Sequence, residues 1–496
     1  MSQENATSKQ PLIRPINRQQ MSWRAVDVEK LIGEDHAARA IWEIVGRLDL
    51  SAFYQAIGSS EEQGGCPAFD PQLLICLWVY AYSQGIGSAR EVARRCEYDP
   101  AFQWLTGLEE VNYHTLADFR VDRQKELDEL FTQVLAALSK EGLITLEQVM
   151  QDGTKIKALA STRSYQREGT IREHLERARQ RVEQMGNPRN EEASPKAKQA
   201  QTRARREQQE RLESALQELQ KLQERKSGEK AKSEARVSAS DPQARVMHHS
   251  DGGLSLSYNA QISADAANGL IVGVAVTQEA NDSAQLLPAV DRIEERLERK
   301  PHQMVADGGY TTRDNLEKMA EREIDFLGSM GREETPSGAT APNRLPPSAF
   351  LYDGEQDRYL CPEGKFLRYE GRLRVEPGLI SYRYEAKRKD CQSCVRKPEC
   401  CPENQKRGRS VTRLEETATV IAFREKMASE QAQAQYRRRG RVVEFCHAWI
   451  KSKLGLRQFH VRGLAKVQSE MLWTCLTYNL QQWIRLGKLR AAPAAS

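Results

Sequence analysis

One segment, YRRRGRVVEFCHAWIK at 436–451, sets an acid among bases. Arg437, Arg441, Glu444 and Lys451 follow one another at steps of four, three and seven residues, which puts them on one face of a helix. Phe445, Trp449 and Ile450 offer apolar anchors beside that face. A carboxylate held among cations on a rigid element suits a site that binds a metal and a polyphosphate together. Two more carboxylates could meet it, Asp152 in QDGTKIK and Asp307 in VADGGY. Divalent hard cations take oxygen ligands, and two-metal sites share a small set of carboxylates. Converging on one sheet edge, Asp152, Asp307 and Glu444 would hold two magnesium (or manganese) ions. The chemistry would be in-line displacement at a phosphodiester, with Arg441 and Lys451 neutralising charge. Each aspartate also has a plainer reading: Asp-Gly is the commonest hairpin dipeptide, and Asp307 could simply open a helix.

A second cluster is sulfur-based. Cys361, Cys391, Cys394, Cys400 and Cys401 lie in one basic segment, out of ten cysteines in all. In a reducing compartment such a cluster points to metal rather than to disulfides. Cys361, Cys391, Cys394 and Cys400 supply the four thiolates of a closed, structural zinc site, with Cys401 competing for the place of Cys400.

The elements that must position these groups follow from the rest of the chain. At 496 residues it is too long for one ordinary domain. Net charge is only +5 with 29% charged residues, so local sign matters more than the total. Dense basic blocks at 372–389 and 437–466 suggest a polyanion partner. No apolar run approaches the roughly 18 residues of a membrane span, and the polar start lacks the apolar stretch of a signal peptide, so a cytoplasmic protein is expected.

Residues 1–20 read as a polar, disordered tail and 21–140 as a helical domain. There, Asp70-Pro71 starts a helix, Gly85-Ile86-Gly87 breaks it, and Ser88 with Glu91 caps the next. Two helices about a glycine turn fit a helix-turn-helix, a weak signal for DNA binding alone. Val149-Met150 then reads as a short strand, Asp152-Gly153-Thr154 as a turn, and 155–158 as a second strand. Residues 164–239 form a charged helical arm, broken near Gly186-Asn187-Pro188, with Leu212, Leu216, Leu219 and Leu222 at three- and four-residue steps. From Leu254 strands alternate with helices, indicating a mixed α/β sheet. GLIVGVAVT reads as a central strand, Asn281-Asp282-Ser283 as a helix cap, and Asp307 as the carboxyl end of a strand. Residues 331–412 form a proline-containing, cysteine-rich insertion. Helices resume over 413–488, ending in SEMLWTCLTYNLQQWIRL, a core helix.

Taken together, these motifs resemble the DDE transposases of bacterial insertion sequences, which have an RNase H-like catalytic core. The likeness rests on QDGTKIKALAS, VADGGYTTRDNLE, YRRRGRVVEFCHAWIK, RQFHVRGLAKV and YNLQQW. DPQLLICLWVYAYSQGIGSAREVARRC and HTLADFR resemble the family's amino-terminal helical domain. CPEGKFL with CQSCVRKPEC resembles the zinc-ribbon-like insertion of its eleven-eighty-two group. The resemblance implies an α/β fold with the core in two parts, 145–163 with 240–330 and 413–488. It implies Asp152, Asp307 and Glu444 as the metal-binding triad. The family's tyrosine–arginine–glutamate–lysine signature maps onto Tyr436, Arg439, Glu444 and Lys451. Four residues separate Arg439 from Glu444 where the commonest form has three, so Arg439 or Arg441 fills the arginine role. DNA contacts are expected from Tyr436, Arg437, Arg439, Arg441, Lys451, Arg462 and Lys155. The activity implied is cleavage at inverted terminal repeats and strand transfer into target DNA, by a homodimer on double-stranded DNA. Rival readings are a metal-dependent nuclease without strand transfer, an inactive DNA-binding relative, and a zinc and coiled-coil scaffold.

Overall fold

The computed structural model describes residues 18–19, 21, 25–57, 67–183, 195–330, 345–376, 379–401 and 407–491. Nearly all of the tail expected at 1–20, the break expected at Gly186-Asn187-Pro188 and the first part of the proline-rich stretch lie outside them.

Among the described residues the chain opens with α1 (Ala37–Val45), α2 (Ser51–Gln55), α3 (Pro71–Ser83), α4 (Ala89–Tyr98), α5 (Pro100–Thr106), α6 (Tyr113–Asp122) and α7 (Gln124–Lys140). Their limits follow local chemistry. The Asp70 carboxylate accepts from the Gln72 amide at 2.8 Å with Pro71 in the first turn of α3. Gly85, at φ +73°, carries the chain out of that helix, and the Ser88 hydroxyl caps α4. The glycine-joined helix pair is therefore present. Its first member is core, because Ile75, Leu77, Trp78 and Tyr82 are all buried.

The main sheet starts with β1 (Gln148–Lys157). The arm follows: β2 (Tyr165–Arg167), α8 (Glu168–Glu183), α9 (Pro195–Glu224), α10 (Glu229–Ser233) and β3 (Arg236–Ser238). α8 and α9 pack side by side on a small core of Ile171, Leu175, Leu212 and Leu219, with Leu216 and Leu222 partly buried beside it. The sheet resumes with β4 (Arg245–His248), β5 (Leu254–Asp265) and β6 (Ile271–Thr277), then α11 (Leu286–Leu297), β7 (Gln303–Ala306), α12 (Arg313–Glu321) and β8 (Asp325–Leu327). Strand order is β4-β5-β1-β7-β8, with β6 also on β5. β1, β5 and β6 are antiparallel, and β1, β7 and β8 are parallel.

Two sequence expectations change here. Asp152-Gly153-Thr154 is not a turn: β1 runs through it, paired with β5 from Val149↔Asp265 to Lys157↔Ser257. Space at Gly153 is tight, so a larger residue would have to displace its neighbours. A Cβ there would lie 2.5 Å from Gln261 Nε2, 2.6 Å from Asp282 Oδ1 and 3.0 Å from Asn259 Oδ1. GLIVGVAVT is not central either. β6 is hydrogen-bonded to β5 alone and reads as buried because α11 and the last helix cover it.

A second sheet carries the cysteines: β9 (Leu351–Asp353), β10 (Arg358–Leu360), β11 (Phe366–Glu376), β12 (Leu379–Ala386), the short α13 (Arg388–Gln392) and α14 (Lys397–Cys400), and β13 (Ser410–Glu416). It is antiparallel, in the order β13-β12-β11-β10-β9, on its own core of Phe350, Leu367, Tyr384 and Val411.

The chain closes with α15 (Ala418–Ala428), α16 (Glu430–Arg437), α17 (Arg439–Ser452) and α18 (Leu464–Ala491). α18 buries Trp473, Cys475, Leu476 and Tyr478 against α3, α7 and β6, uniting helices and sheet in one core. It also closes the free edge of β6. Asn479 accepts from the Ile271 amide at 2.9 Å and donates to the Ile271 carbonyl at 2.8 Å. Gln468 accepts from the Val276 amide at 2.7 Å. Side-chain amides thus stand in for a missing strand. The fold is mixed α/β with a helical amino-terminal region. No helix among the described residues is long and apolar enough to cross a membrane.

Candidate active site

Strand register brings the aspartates together. The parallel ladder of β1 with β7 ends at Gln151↔Ala306. One step further, Asp152 lies beside Asp307 where that edge of the sheet opens. The Asp307 carboxylate is set by the turn after β7, accepting from the Gly309 amide at 2.8 Å. Asp152 is deeply set, and burial pushes its carboxyl up to about 6. Arg439 opposes that shift and the neighbouring Asp307 adds to it.

α17 packs over this point against β1 and β5. Val443, Cys446, His447 and Ile450 form its buried face, at i, i+3, i+4 and i+7. Glu444 stands at the rim of that face with its side chain 61% exposed. The Arg439 guanidinium links the two sides, 3.3 Å from Asp152 Oδ2 and 3.7 Å from Glu444 Oε1. This separates the two arginines that sequence spacing left equivalent: Arg439 sits between the carboxylates, and Arg441 is exposed. The expected continuous helix over 436–451 is in fact two, since α16 ends at Arg437. Arg437 closes the first of these helices and is exposed. Phe445 is exposed and lies tilted against the Trp449 ring rather than anchoring the helix.

Several expected cations are already engaged. Lys451 is half-buried and donates to Thr154 Oγ1 at 2.5 Å, and burial lowers its pKa. Lys155 lies 3.5 Å from Asp282. Arg462 donates to the Leu159 carbonyl at 3.0 Å and Tyr436 is half-buried. Arg437, Arg441 and Arg462 remain exposed for a polyanion.

Two side chains of the site escaped sequence reasoning. Asp282 looks like a helix cap, but α11 starts only at Leu286. Its carboxylate instead turns onto the sheet, accepting from Asn259 at 2.6 Å and Gln261 at 2.7 Å, beside Gly153. His447 lies 3.7 Å from Asp152, and burial, with Lys451 and Arg439 nearby, lowers its pKa to about 3. Its place on the buried face of α17 was the available signal. Glu470, the other acid near the carboxyl end, is elsewhere. It lies buried on α18, accepting from the His460 amide and ring at 2.8 Å with Arg120 at 3.8 Å.

Among the described residues no three His, Cys, Asp or Glu side chains stand close enough to hold one metal ion. The chemistry of the donor set nevertheless fits a hard divalent cation: two carboxylates meet at a strand end with a third at the rim. In the second sheet, Cys361, Cys391, Cys394 and Cys400 line one cavity of about 180 Å³, and Cys401 is not among its walls. Backbone amides point at two of the sulfurs, Lys365 to Cys361 at 3.2 Å and Arg409 to Cys391 at 3.3 Å.

Residues 360–484 match the family described as transposase DDE domain, a span that includes the cysteine-bearing strands and Glu444. Residues 26–122, in the helical region, match a second, transposase domain (DUF772). These two matches support a DDE transposase of an insertion sequence. No curated protein and no solved structure matches the chain. The DDE-domain match indicates a transposase enzyme, a class that binds DNA. The two aspartates lie between the matched spans, so their assignment rests on the geometry above.

Proposed function

We propose that this transposase cuts DNA at the inverted terminal repeats of its element and joins the freed ends to target DNA. Asp152, Asp307 and Glu444 are the residues that would hold magnesium or manganese. When bound, such ions activate the attacking oxygen and stabilise the leaving one. In the first step water attacks phosphorus and the bond to the 3′-oxygen breaks, leaving a 3′-hydroxyl. In the second, that hydroxyl attacks a target phosphodiester and a target 3′-hydroxyl leaves. Arg439 orients Asp152 and Glu444, and the exposed Arg437, Arg441 and Arg462 hold the DNA backbone.

The observation that carries this reading is the β1–β7 register, which sets Asp152 beside Asp307 under the helix of Glu444. It also supports an RNase H-like core, with antiparallel strands on one side of β1 and parallel strands on the other. Residues 21–140 would bind the ends, the arm at 164–239 would grip DNA or a second protomer, and the cysteines would hold a structural zinc. Two ends need two copies, so the working form on DNA is a dimer in the cytoplasm.

The test is a marker flanked by the DNA that borders this gene, incubated with protein and magnesium. Cleaved and joined products that disappear with Asp307→Asn support the proposal. Cleavage without joining favours a nuclease, and binding without reaction an inactive relative.

A further inference from the structure

His447 is held in a position that a packing role leaves unexplained. It is 8% exposed, on the face of α17 that meets β1. Neither Nδ1 nor Nε2 has a hydrogen-bond partner among the described residues. Leaving such a buried group unsatisfied is unfavourable. The ring is nonetheless aimed at the site, with Nε2 3.7 Å from Asp152 Oδ2.

The surrounding charges say what could satisfy it. Arg439 is engaged by Asp152 and Glu444, and Lys451 by Thr154. Neither cation is placed to satisfy the ring, and an imidazole nitrogen that makes no hydrogen bond can offer its lone pair to an ion. A neutral imidazole beside a carboxylate is a metal-ligating arrangement. Glu444 and His447 are three residues apart, hence neighbours along the helix. Helical bundles present carboxylate and imidazole to paired iron or manganese with the same Glu-x-x-His spacing.

We propose that His447 supplies a ring nitrogen, next to the Asp152 carboxylate, to a divalent ion, so that the site takes manganese in preference to magnesium. Carboxylates alone suit magnesium, and an imidazole shifts a site toward transition metals. The inference rests on the reading of Asp152 as a metal ligand.

The experiment uses the full, untagged chain without DNA and Mn²⁺ as the probe. Binding is measured by titration, and the ion's surroundings by electron spin echo modulation. Expected is Mn²⁺ binding that Asp152→Asn abolishes, with nitrogen coupling in the native protein. His447→Phe should remove the coupling and weaken Mn²⁺ about tenfold or more, with Mg²⁺ changed less than about threefold. Native protein grown with ¹⁵N-histidine should show the changed isotope pattern, a readout that needs no variant to fold. Asp152-dependent binding without nitrogen coupling overturns the role of His447 and leaves the metal reading standing. Absence of Asp152-dependent binding overturns both.

Discussion

Replacing Asn479 by leucine isolates the device that closes the main sheet. Asn479 is fully buried, and its amide makes both hydrogen bonds to the Ile271 backbone. Leucine fills nearly the same volume but leaves a buried amide and a buried carbonyl without partners. Each orphaned group costs about 1–3 kcal/mol, so a loss of about 2–6 kcal/mol is expected. That is a large share of the roughly 5–15 kcal/mol that holds a typical protein folded. The chain is long and need not unfold in one step, so a local readout is better than a melting point. Hydrogen exchange followed by mass spectrometry on a peptide spanning β6 supplies it. A loss of even 2 kcal/mol speeds exchange about thirtyfold where exchange follows local opening. Gln468→Leu, which strands only the Val276 amide, should give about half the effect in free energy. Unchanged exchange in β6 with Asn479→Leu would refute the view that α18 stands in for a missing strand.

Other expectations follow from the same structure. Glu416 joins the cysteine-bearing sheet to α15 and α12, receiving Arg424 at 2.6 and 2.8 Å and Arg313 at 3.4 Å. Its hydrogen bonds with Arg424 hold its pKa below the usual 4.5. The stability it adds is present above the unfolded value and is lost as pH falls through the folded one. Glu416→Gln should therefore cost about 2 kcal/mol at pH 7 and progressively less below about pH 4.5, followed by denaturant titration at each pH. A gap that stays constant with pH contradicts this. Gly153→Ala should force apart Asp282, Gln261 and Asn259, costing about 1–3 kcal/mol and lowering cleavage in the same preparation; normal cleavage counts against the crowding seen at that position. Cys391→Ser should release zinc, measured by elemental analysis, and destabilise the fold. A native protein that is stable with no bound zinc removes the zinc assignment.

Local chemistry was readable from the sequence, and partnerships across long distances were not. The caps at Asp70 and Ser88 act within three residues, so their types alone announce the helix starts. Asp152-Gly153 misleads because a dipeptide favours a turn, whereas β5, over a hundred residues on in sequence, supplies a ladder that overrides it. The apolar run of β6 tells of burial, but whether a neighbouring strand or the side chains of α18 close its edge is decided about two hundred residues later. The same holds for Asp282, whose local setting is that of a cap. The three carboxylates are proposed from motif order, and Arg439 is distinguished from Arg441 by its place between Asp152 and Glu444, which spacing along one helix does not reveal.

In the proposed mechanism Asp152, Asp307 and Glu444 act as one site, and Glu470 does not belong to it. The direct measurement is single-turnover cleavage of end-containing DNA by Asp152→Asn, Asp307→Asn, Glu444→Gln and Glu470→Gln, each at equal folded concentration. The account predicts loss of at least about a hundredfold for the first three, on the scale of losing a group that stabilises the transition state. It predicts near-native cleavage for folded Glu470→Gln. Cleavage retained by Glu444→Gln, or lost equally in folded Glu470→Gln, would contradict it.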